Sequence, residues 1–161
     1  MKTLALSAGI AFTAAALALT STATAESHVD PAIAGAIKAR QAQMQLYAHN
    51  LGILGGMAQG KMDYDADAAS AAASNLAALV QLNQSTYWPQ GSDNASVEGT
   101  KALPAIWEDM AGVMEKGGAM VDAAIAMEAA AGNGLESLQG AMQALGGACG
   151  GCHQSYRQSN N

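Results

Sequence analysis

Hydrophobic residues recur along this chain at alternating steps of three and four, the spacing of amphipathic helices packed in a bundle. The first such stretch begins at Asp30, a residue type that caps helices, followed by Pro31 at the first helical position. The turn-forming residues around Gly60 end this first predicted helix. We expect its inward positions to be Ile33, Ile37, Arg40, Met44, Tyr47, Leu51, Leu54 and Ala58.

Three more helices are predicted after the first. The second starts near Asp65 or Asp67 and runs to about Ser85, the third begins near Pro104, and the fourth begins at Leu135. Residues 86–100 contain Pro, Gly, Ser, Asp and Asn and break the periodicity, which indicates one long loop. The expected inward positions are Leu76, Leu79, Val80 and Asn83 in the second helix; Ile106, Met110, Val113, Gly117, Met120, Ala124 and Met127 in the third; and Leu135, Leu138, Met142, Leu145, Cys149 and Cys152 in the fourth.

This pattern predicts an all-α, antiparallel, up-down-up-down four-helix bundle. The connections after the first and third helices are short, so those helix pairs are antiparallel neighbours, and the long loop crosses one end of the bundle. Composition agrees, because Ala and Met favour helices and β-branched residues are sparse. No internal repeat indicates a solenoid instead.

The N-terminal 25 residues read as a cleaved signal peptide rather than part of the fold. Lys2 precedes a long uncharged apolar run that ends at Ala23-Thr24-Ala25, a small-x-small cleavage pattern. An uncleaved anchor is the alternative, but the apolar run is shorter than the roughly 20 residues of a spanning helix. We therefore expect a periplasmic mature chain of residues 26–161, folded as one domain with no membrane insertion.

Removal of Lys2 with the signal peptide leaves 6 basic and 13 acidic residues, a net charge of −7. Nucleic-acid binding needs a basic face that neutralises phosphates, so that function class is excluded. Any protein partner is expected to be cationic.

The only two cysteines lie in the C-terminal sequence Cys149-Gly-Gly-Cys152-His153. On a helix, Cys149 lies three residues before Cys152 and four before His153, so all three side chains point to one side of a single turn. Two thiols about a turn apart can bond the two vinyl-derived carbons of a haem, and the adjacent imidazole then meets the iron. The motif predicts covalent haem attachment, with one haem c per chain.

Other interpretations of the motif are weaker. A thioredoxin-like pair belongs at the start of a helix that follows a strand, whereas this pair lies near the end of a helix. A structural zinc site needs four ligands, and a second cysteine pair is absent. A disulfide between positions i and i+3 would close a very small loop with little stabilisation.

Two residues of the first helix are expected near the haem, because that helix runs antiparallel to the fourth in a bundle. Arg40 places a cation at an inward position where the helix pattern predicts an apolar residue. A buried cation needs an anionic partner, and a haem propionate is the obvious one. The alternative is that Arg40 extends to solvent. Met44 would lie over the open side of the iron, or it fills the core as bundle methionines usually do.

The C-terminal motif, the four helices and Arg40-Gln41-x-x-Met44 together resemble the cytochrome c′ family, over the whole mature chain. Further similarities are Tyr64-Asp65, Tyr87-Trp88-Pro89, Leu103-Pro104-Ala105-Ile106-Trp107 and Tyr156-Arg157.

The resemblance implies a pentacoordinate, largely high-spin haem with His153 as its sole protein ligand. It implies that Met44 blocks the distal face and that Arg40 and Gln41 contact the propionates. It also implies that the loop from Glu98 to Lys101, which contains Thr100, approaches the haem edge and that Arg157 flanks the proximal histidine. A homodimer through the first two helices, and binding of NO or CO, are implied as well.

The implied function is periplasmic electron transfer without substrate turnover. Three alternatives stay open. Met44 would ligate the iron in a low-spin, six-coordinate electron carrier, as in several relatives with this bundle. A gas-binding protein that protects against NO needs no electron-transfer role. A peroxidase-like enzyme needs a distal His or Arg, for which Arg40 is the only candidate, since His49 lies off the inward face and His28 precedes the first helix.

Overall fold

A computed structural model describes residues 29–159, so the predicted signal peptide lies outside the described residues. Five helices form in this part of the chain: α1 (Pro31–Ala58), α2 (Ala66–Val80), α3 (Ala105–Glu108), α4 (Met110–Ala130) and α5 (Leu135–Tyr156). The predicted start of the first helix is confirmed, because the Asp30 carboxylate accepts a hydrogen bond from the Ala32 amide and Pro31 follows it.

Helices α1, α2, α4 and α5 pack around one core in the order α1–α2–α4–α5–α1. Gln139, near the start of α5, donates a hydrogen bond to the carbonyl of Ala58, the last residue of α1, so α5 runs antiparallel to α1. Near the other end of the bundle, Gln43 of α1 donates to the carbonyl of Leu79, near the end of α2. The all-α four-helix bundle is thus confirmed.

The core contains small and branched aliphatic residues with two methionines and one tyrosine. Its fully or nearly fully buried members include Leu54, Met57, Ala69, Ala73, Leu76, Ala124, Met127, Ala131, Leu138 and Leu145. The many buried alanines let the four helices approach closely, which leaves little room for larger substitutions.

The buried face of α1 agrees with the predicted one at Ile37, Arg40, Tyr47 and Leu54 but differs at one position. Met44 was expected inside but is 38% exposed, whereas the neighbouring Gln43 is buried. Asn50 is buried in the same way, one position before the predicted Leu51. Gln43 and Asn50 have partners on α2, the Leu79 carbonyl and the Asn75 side chain, and these hydrogen bonds offset the cost of burying amides.

Helix α2 ends at Val80, about five residues before the predicted end. The Asn83 side chain accepts a hydrogen bond from the Ser85 amide, which forms a local turn that competes with helix continuation. Asn83 is consequently exposed and not on an inner helix face as predicted.

The predicted third helix is interrupted. Asp109 has non-helical backbone angles and caps α4 by accepting a hydrogen bond from the Gly112 amide. The predicted Ile106, Ala124 and Met127 are buried on either side of this break, whereas Met110, at the restart, is 46% exposed and Gly117 is also exposed. Leu135, the first residue of α5, is 38% exposed, and the first buried residue of that helix is Leu138.

The segment between α2 and α3 covers the end of the bundle where α5 finishes. The Leu103 amide donates to the Tyr156 carbonyl, and the Gln158 amide donates to the Lys101 carbonyl. An isolated antiparallel bridge between Ala102 and Arg157 completes this contact. None of the helices within residues 29–159 is both long and apolar enough to cross a membrane.

Candidate functional site

The C-terminal cysteines and histidine lie on the last two turns of α5. Cys149, Cys152 and His153 are each partly buried, and the two cysteines are free thiols. The helix is continuous to Tyr156, so it spaces the two thiols by one turn and places the imidazole beside them.

The neighbours of Cys149 come from two other helices. Its sulfur lies 3.7 Å from the sulfur of Met120 on α4. Burial raises the pKa of Tyr47, on α1, to about 12; its hydrogen bond with Gln43 opposes this, and the nearby Cys149 adds to the increase. Cys149 therefore lies between α1 and α4, inside the bundle.

The electrostatics of the two thiols do not favour redox chemistry. Burial raises the pKa of Cys149, and burial also raises the pKa of Cys152 against the opposing charge of Lys116. A dithiol redox pair works through a lowered thiol pKa at a helix start. These thiols are protonated at neutral pH and lie at a helix end, so the thioredoxin-like interpretation lacks support.

His153 is held in the form that binds a metal. Burial lowers its pKa, and the positive charge of Arg157, one turn on, lowers it further. A neutral imidazole is the ligating form of histidine. Among residues 29–159, no three His, Cys, Asp or Glu side chains are placed to hold a metal ion together.

The antiparallel register of α1 and α5 brings Met44 level with this motif. Ala58 contacts Gln139 at one end, and Tyr47 lies near Cys149 further along. Met44 lies three residues before Tyr47 on α1, and Cys152 lies three residues after Cys149 on the antiparallel helix α5. Met44 therefore lies at the height of Cys152 and His153 on the neighbouring helix.

Arg40 lies one turn before Met44 and is buried, with only 3% of its surface exposed. Its NH1 group donates to the Tyr87 carbonyl at 3.2 Å and to the Ser92 hydroxyl at 2.7 Å. Its NH2 group donates to the Ser92 carbonyl and, at 2.9 Å, to the Thr100 hydroxyl. Burial lowers the pKa of Arg40, and the charge of Asp93 opposes that effect. The expected alternative of a solvent-extended side chain is wrong, because the loop encloses it.

Three other predicted site residues lie at the same end of the bundle. Gln41 donates a hydrogen bond to the Gly99 carbonyl at 3.0 Å, and Thr100 is buried against Arg40. Arg157 is exposed and follows α5 directly. The structure thus brings Arg40, Gln41 and Thr100 into one cluster, while Arg157 lies nearer His153.

Three residues that build this region were not predicted as site residues. The Ser92 hydroxyl accepts a hydrogen bond from Arg40, and the Trp88 ring packs against the Arg40 guanidinium. The Met120 sulfur lies next to the Cys149 sulfur. The Trp-Pro and Ser-Asp pairs of the long loop were a signal of ordered turn structure, but no spacing rule relates a loop serine to a helix arginine.

The donor set fits a covalently bound haem c. Two protonated thiols one turn apart match two thioether bonds, and a neutral imidazole stands on the same side of the helix. The Met44 thioether and the buried Arg40 cation lie at matching heights on α1. Among the described residues, Gln43 Oε1 is the one buried side-chain oxygen or nitrogen atom that has no hydrogen-bond partner.

Comparison with known proteins gives a consistent result. The family model for cytochrome c′ matches residues 35–157. Cytochrome c-554 of Cereibacter sphaeroides is 49% identical over 124 residues, which cover 77% of this chain and 81% of that protein. The structure of cytochrome c′ from Rhodobacter spheriodes superimposes with a TM-score of 0.79 at 38% identity, covering 82% of this chain and all of the other.

A solved structure of an Alcaligenes xylosoxidans cytochrome c′ variant contains carbon monoxide. It superimposes with a TM-score of 0.69 at 30% identity and covers 79% of this chain and 97% of the other. Another variant of the same protein was solved with NO bound to its ferrous form.

Proposed function

Since the chain belongs to the cytochrome c′ family and is a monohaem c-type cytochrome, we propose that it is a periplasmic electron-transfer protein with a pentacoordinate, high-spin haem that binds NO and CO. The observation that carries the proposal is the arrangement at the end of α5. Two thiols and an imidazole share one face of a continuous helix, level with the Met44 thioether on the neighbouring helix α1.

Each site residue has a proposed role. Cys149 and Cys152 hold the haem through thioether bonds, and His153 is the axial ligand. The haem supplies a one-electron change at its iron and a coordination position for a diatomic gas. Arg157 follows α5 directly and adds to the effect of burial, which is the main reason that the pKa of His153 is lowered.

Arg40 and Gln41 are proposed to contact the propionates, with Thr100 as a neighbour. All four hydrogen-bond acceptors of Arg40 are neutral oxygens, and no carboxylate among residues 29–159 forms an ion pair with it. The charge of Asp93 acts on Arg40 without forming an ion pair, so the buried cation has no hydrogen-bonded anion. A buried cation is stabilised by a directly paired anion, which supports the propionate contact.

The open iron position rests on Met44. The proposed open position requires that the Met44 side chain cover the distal face without its sulfur ligating the iron. The second candidate is a six-coordinate, low-spin carrier with Met44 as ligand. The register that places Met44 level with His153 favours that alternative.

The absorption spectrum of the reduced protein, with and without CO, distinguishes these states. We expect a broad high-spin spectrum that CO changes. A sharp low-spin spectrum that CO leaves unchanged would contradict the open position and support Met44 ligation. A His153→Ala variant that kept a normal spectrum and gas response would overturn the axial assignment. A protein that binds CO but exchanges no electrons with mediators would favour a gas-binding role alone.

Dimerisation through α1 and α2 is part of the proposal. Leu46 on α1 is 49% exposed and Leu82, just after α2, is 47% exposed, and both would be covered in such a dimer. Sedimentation of the holoprotein at micromolar concentration should give a dimer, and Leu46→Glu should give a monomer. A strictly monomeric wild type would refute this part.

A further inference from the structure

Tyr156, the last residue of α5, is tied to the start of α4. Its hydroxyl donates to Asp109 Oδ2 at 2.6 Å, and its side chain is only 7% exposed. The other carboxylate oxygen of Asp109 accepts from the Gly112 amide at 3.0 Å and caps α4. One carboxylate therefore joins the end of one helix to the beginning of another, with both oxygens in use.

The space around this contact is closed. A Cβ atom on Gly112 would overlap both Asp109 Oδ2 and the Tyr156 hydroxyl, so a side chain at this position would force the pair apart. The backbone of Tyr156 is fixed as well, because its carbonyl accepts from the Leu103 amide at 3.0 Å. The end of α5 is thus held through both side chain and main chain.

The last turns of α5 need such support. Gly146, Gly147, Gly150 and Gly151 lie within them, and each glycine costs a helix about 1 kcal/mol relative to alanine. A helix end with this composition frays unless tertiary contacts hold it. His153 lies one turn before Tyr156, inside the segment that the contact stabilises.

We propose that Tyr156 and Asp109 are positioning residues for His153. By fixing the final turn of α5 against α4, they set the orientation of the imidazole that the proposed function assigns to the iron. The inference rests on that assignment, and it adds residues 109 and 156 to the determinants of haem properties.

Tyr64 provides a matched control at the opposite end of the bundle. Its hydroxyl donates to the Ala131 carbonyl and accepts from the Gly134 amide, each at 2.9 Å, so it also joins helix ends through one phenol oxygen. It lies far along the bundle from His153. Tyr64→Phe and Tyr156→Phe therefore remove comparable hydrogen bonds at different distances from the motif.

The experiment compares holoproteins carrying Tyr156→Phe, Tyr64→Phe and Asp109→Asn, the last of which keeps an acceptor for the tyrosine. Both phenylalanine variants should lose stability. Tyr156→Phe alone should broaden the ferric EPR signal and change the equilibrium constant for reduction by a common mediator. The change should reach at most about threefold to tenfold, the limit if the whole free energy of one hydrogen bond differed between the two oxidation states. Asp109→Asn keeps one acceptor oxygen for two donors, so its EPR signal and reduction equilibrium should lie between those of wild type and Tyr156→Phe.

Two results would overturn the inference. If Tyr156→Phe and Tyr64→Phe gave equal EPR signals and reduction equilibria, Tyr156 would stabilise the fold without positioning His153. A wild type without covalently bound haem would overturn the proposed function together with this inference, and the denaturing-gel haem stain detects that case separately.

Discussion

The guanidinium of Arg40 lies over the indole ring of Trp88, 4.8 Å from the ring centroid. Trp88 in turn packs at a tilt against Trp107, with ring centroids 6.5 Å apart, and the Trp107 indole N–H donates to the Trp88 carbonyl. One helix residue thereby organises the long loop, through a cation–π contact and four hydrogen bonds.

Replacing Arg40 should destabilise the protein strongly. Arg40→Met removes the donors for Ser92, Thr100 and Tyr87 and should lower the free energy of unfolding by about 2–4 kcal/mol. Arg40→Lys should lie between this variant and wild type, because lysine keeps the charge but not the planar fork. Urea unfolding measures the effect. Lys38→Met, at an exposed position on the same helix, is the control and should stay within about 0.5 kcal/mol of wild type.

The two cysteines should contribute separately to haem attachment. We expect Cys149→Ala and Cys152→Ala to retain haem through one thioether bond each, and the double variant to lose it under denaturing conditions. Intact-protein mass spectrometry and a haem-stained gel measure this. Met120→Leu, which changes only the neighbour of Cys149, should keep both bonds. Covalent haem in the double variant would exclude the motif as the attachment site.

Truncation of Met44 should open the iron further. In the pentacoordinate protein, Met44→Ala should leave the reduced spectrum high-spin and raise CO affinity about fivefold to tenfold, because less side chain must be displaced, a gain of roughly 1 kcal/mol. CO titration measures it. Met114→Ala, at a position 69% exposed on α4, should leave CO affinity unchanged. Conversion from low-spin to high-spin on truncation would instead identify Met44 as a ligand.

Asp93 should make the loop acid-sensitive. Burial by itself would raise its pKa, but hydrogen bonds from the Ser96 hydroxyl and from the amides of Ala95 and Ser96 hold the pKa below its usual value. A carboxyl whose pKa is lowered by folding stabilises the fold at pH values above its unfolded-state pKa, which is near 3.9. This stabilisation is lost as pH falls through the folded-state pKa. Asp93→Asn should therefore be less stable than wild type at pH 6, and the difference should shrink below about pH 4. Thermal unfolding from pH 6 to 2 is the measurement, and a constant difference would contradict the role.

Tyr47 should make the protein alkali-sensitive. Its pKa is raised by burial to about 12, above the value near 10 in the unfolded chain. The unfolded state therefore loses its proton first, and stability declines as pH rises from about 10 towards 12. Tyr47→Phe should show a smaller decline over this interval, measured by urea midpoints between pH 9 and 12. Equal slopes in the two proteins would contradict the expectation.

Local patterns were enough to predict the elements and the attachment motif. The cap at Asp30, the steps of three and four, and the Cys149–His153 spacing depend only on residues close in sequence, and each implies its geometry through the helix repeat. The family resemblance rested on the same local motifs. Element ends were less accurate, because short-range hydrogen bonds at Asn83 and Asp109 compete with helix continuation.

The sequence by itself determined an all-helical bundle and a C-terminal motif of two thiols and an imidazole. It also determined that Arg40 places a cation at an inward helix position, where it needs polar partners. Only the tertiary structure decided which side chains hydrogen-bond to Arg40. They are Ser92 and Thr100, more than fifty residues away, and their positions depend on how the long loop packs. The tertiary structure also decided that Gln43, which the helix spacing did not place inward, is buried against α2. The helix repeat fixes angles between neighbours, but which face is buried depends on the hydrogen-bond partners that α2 offers.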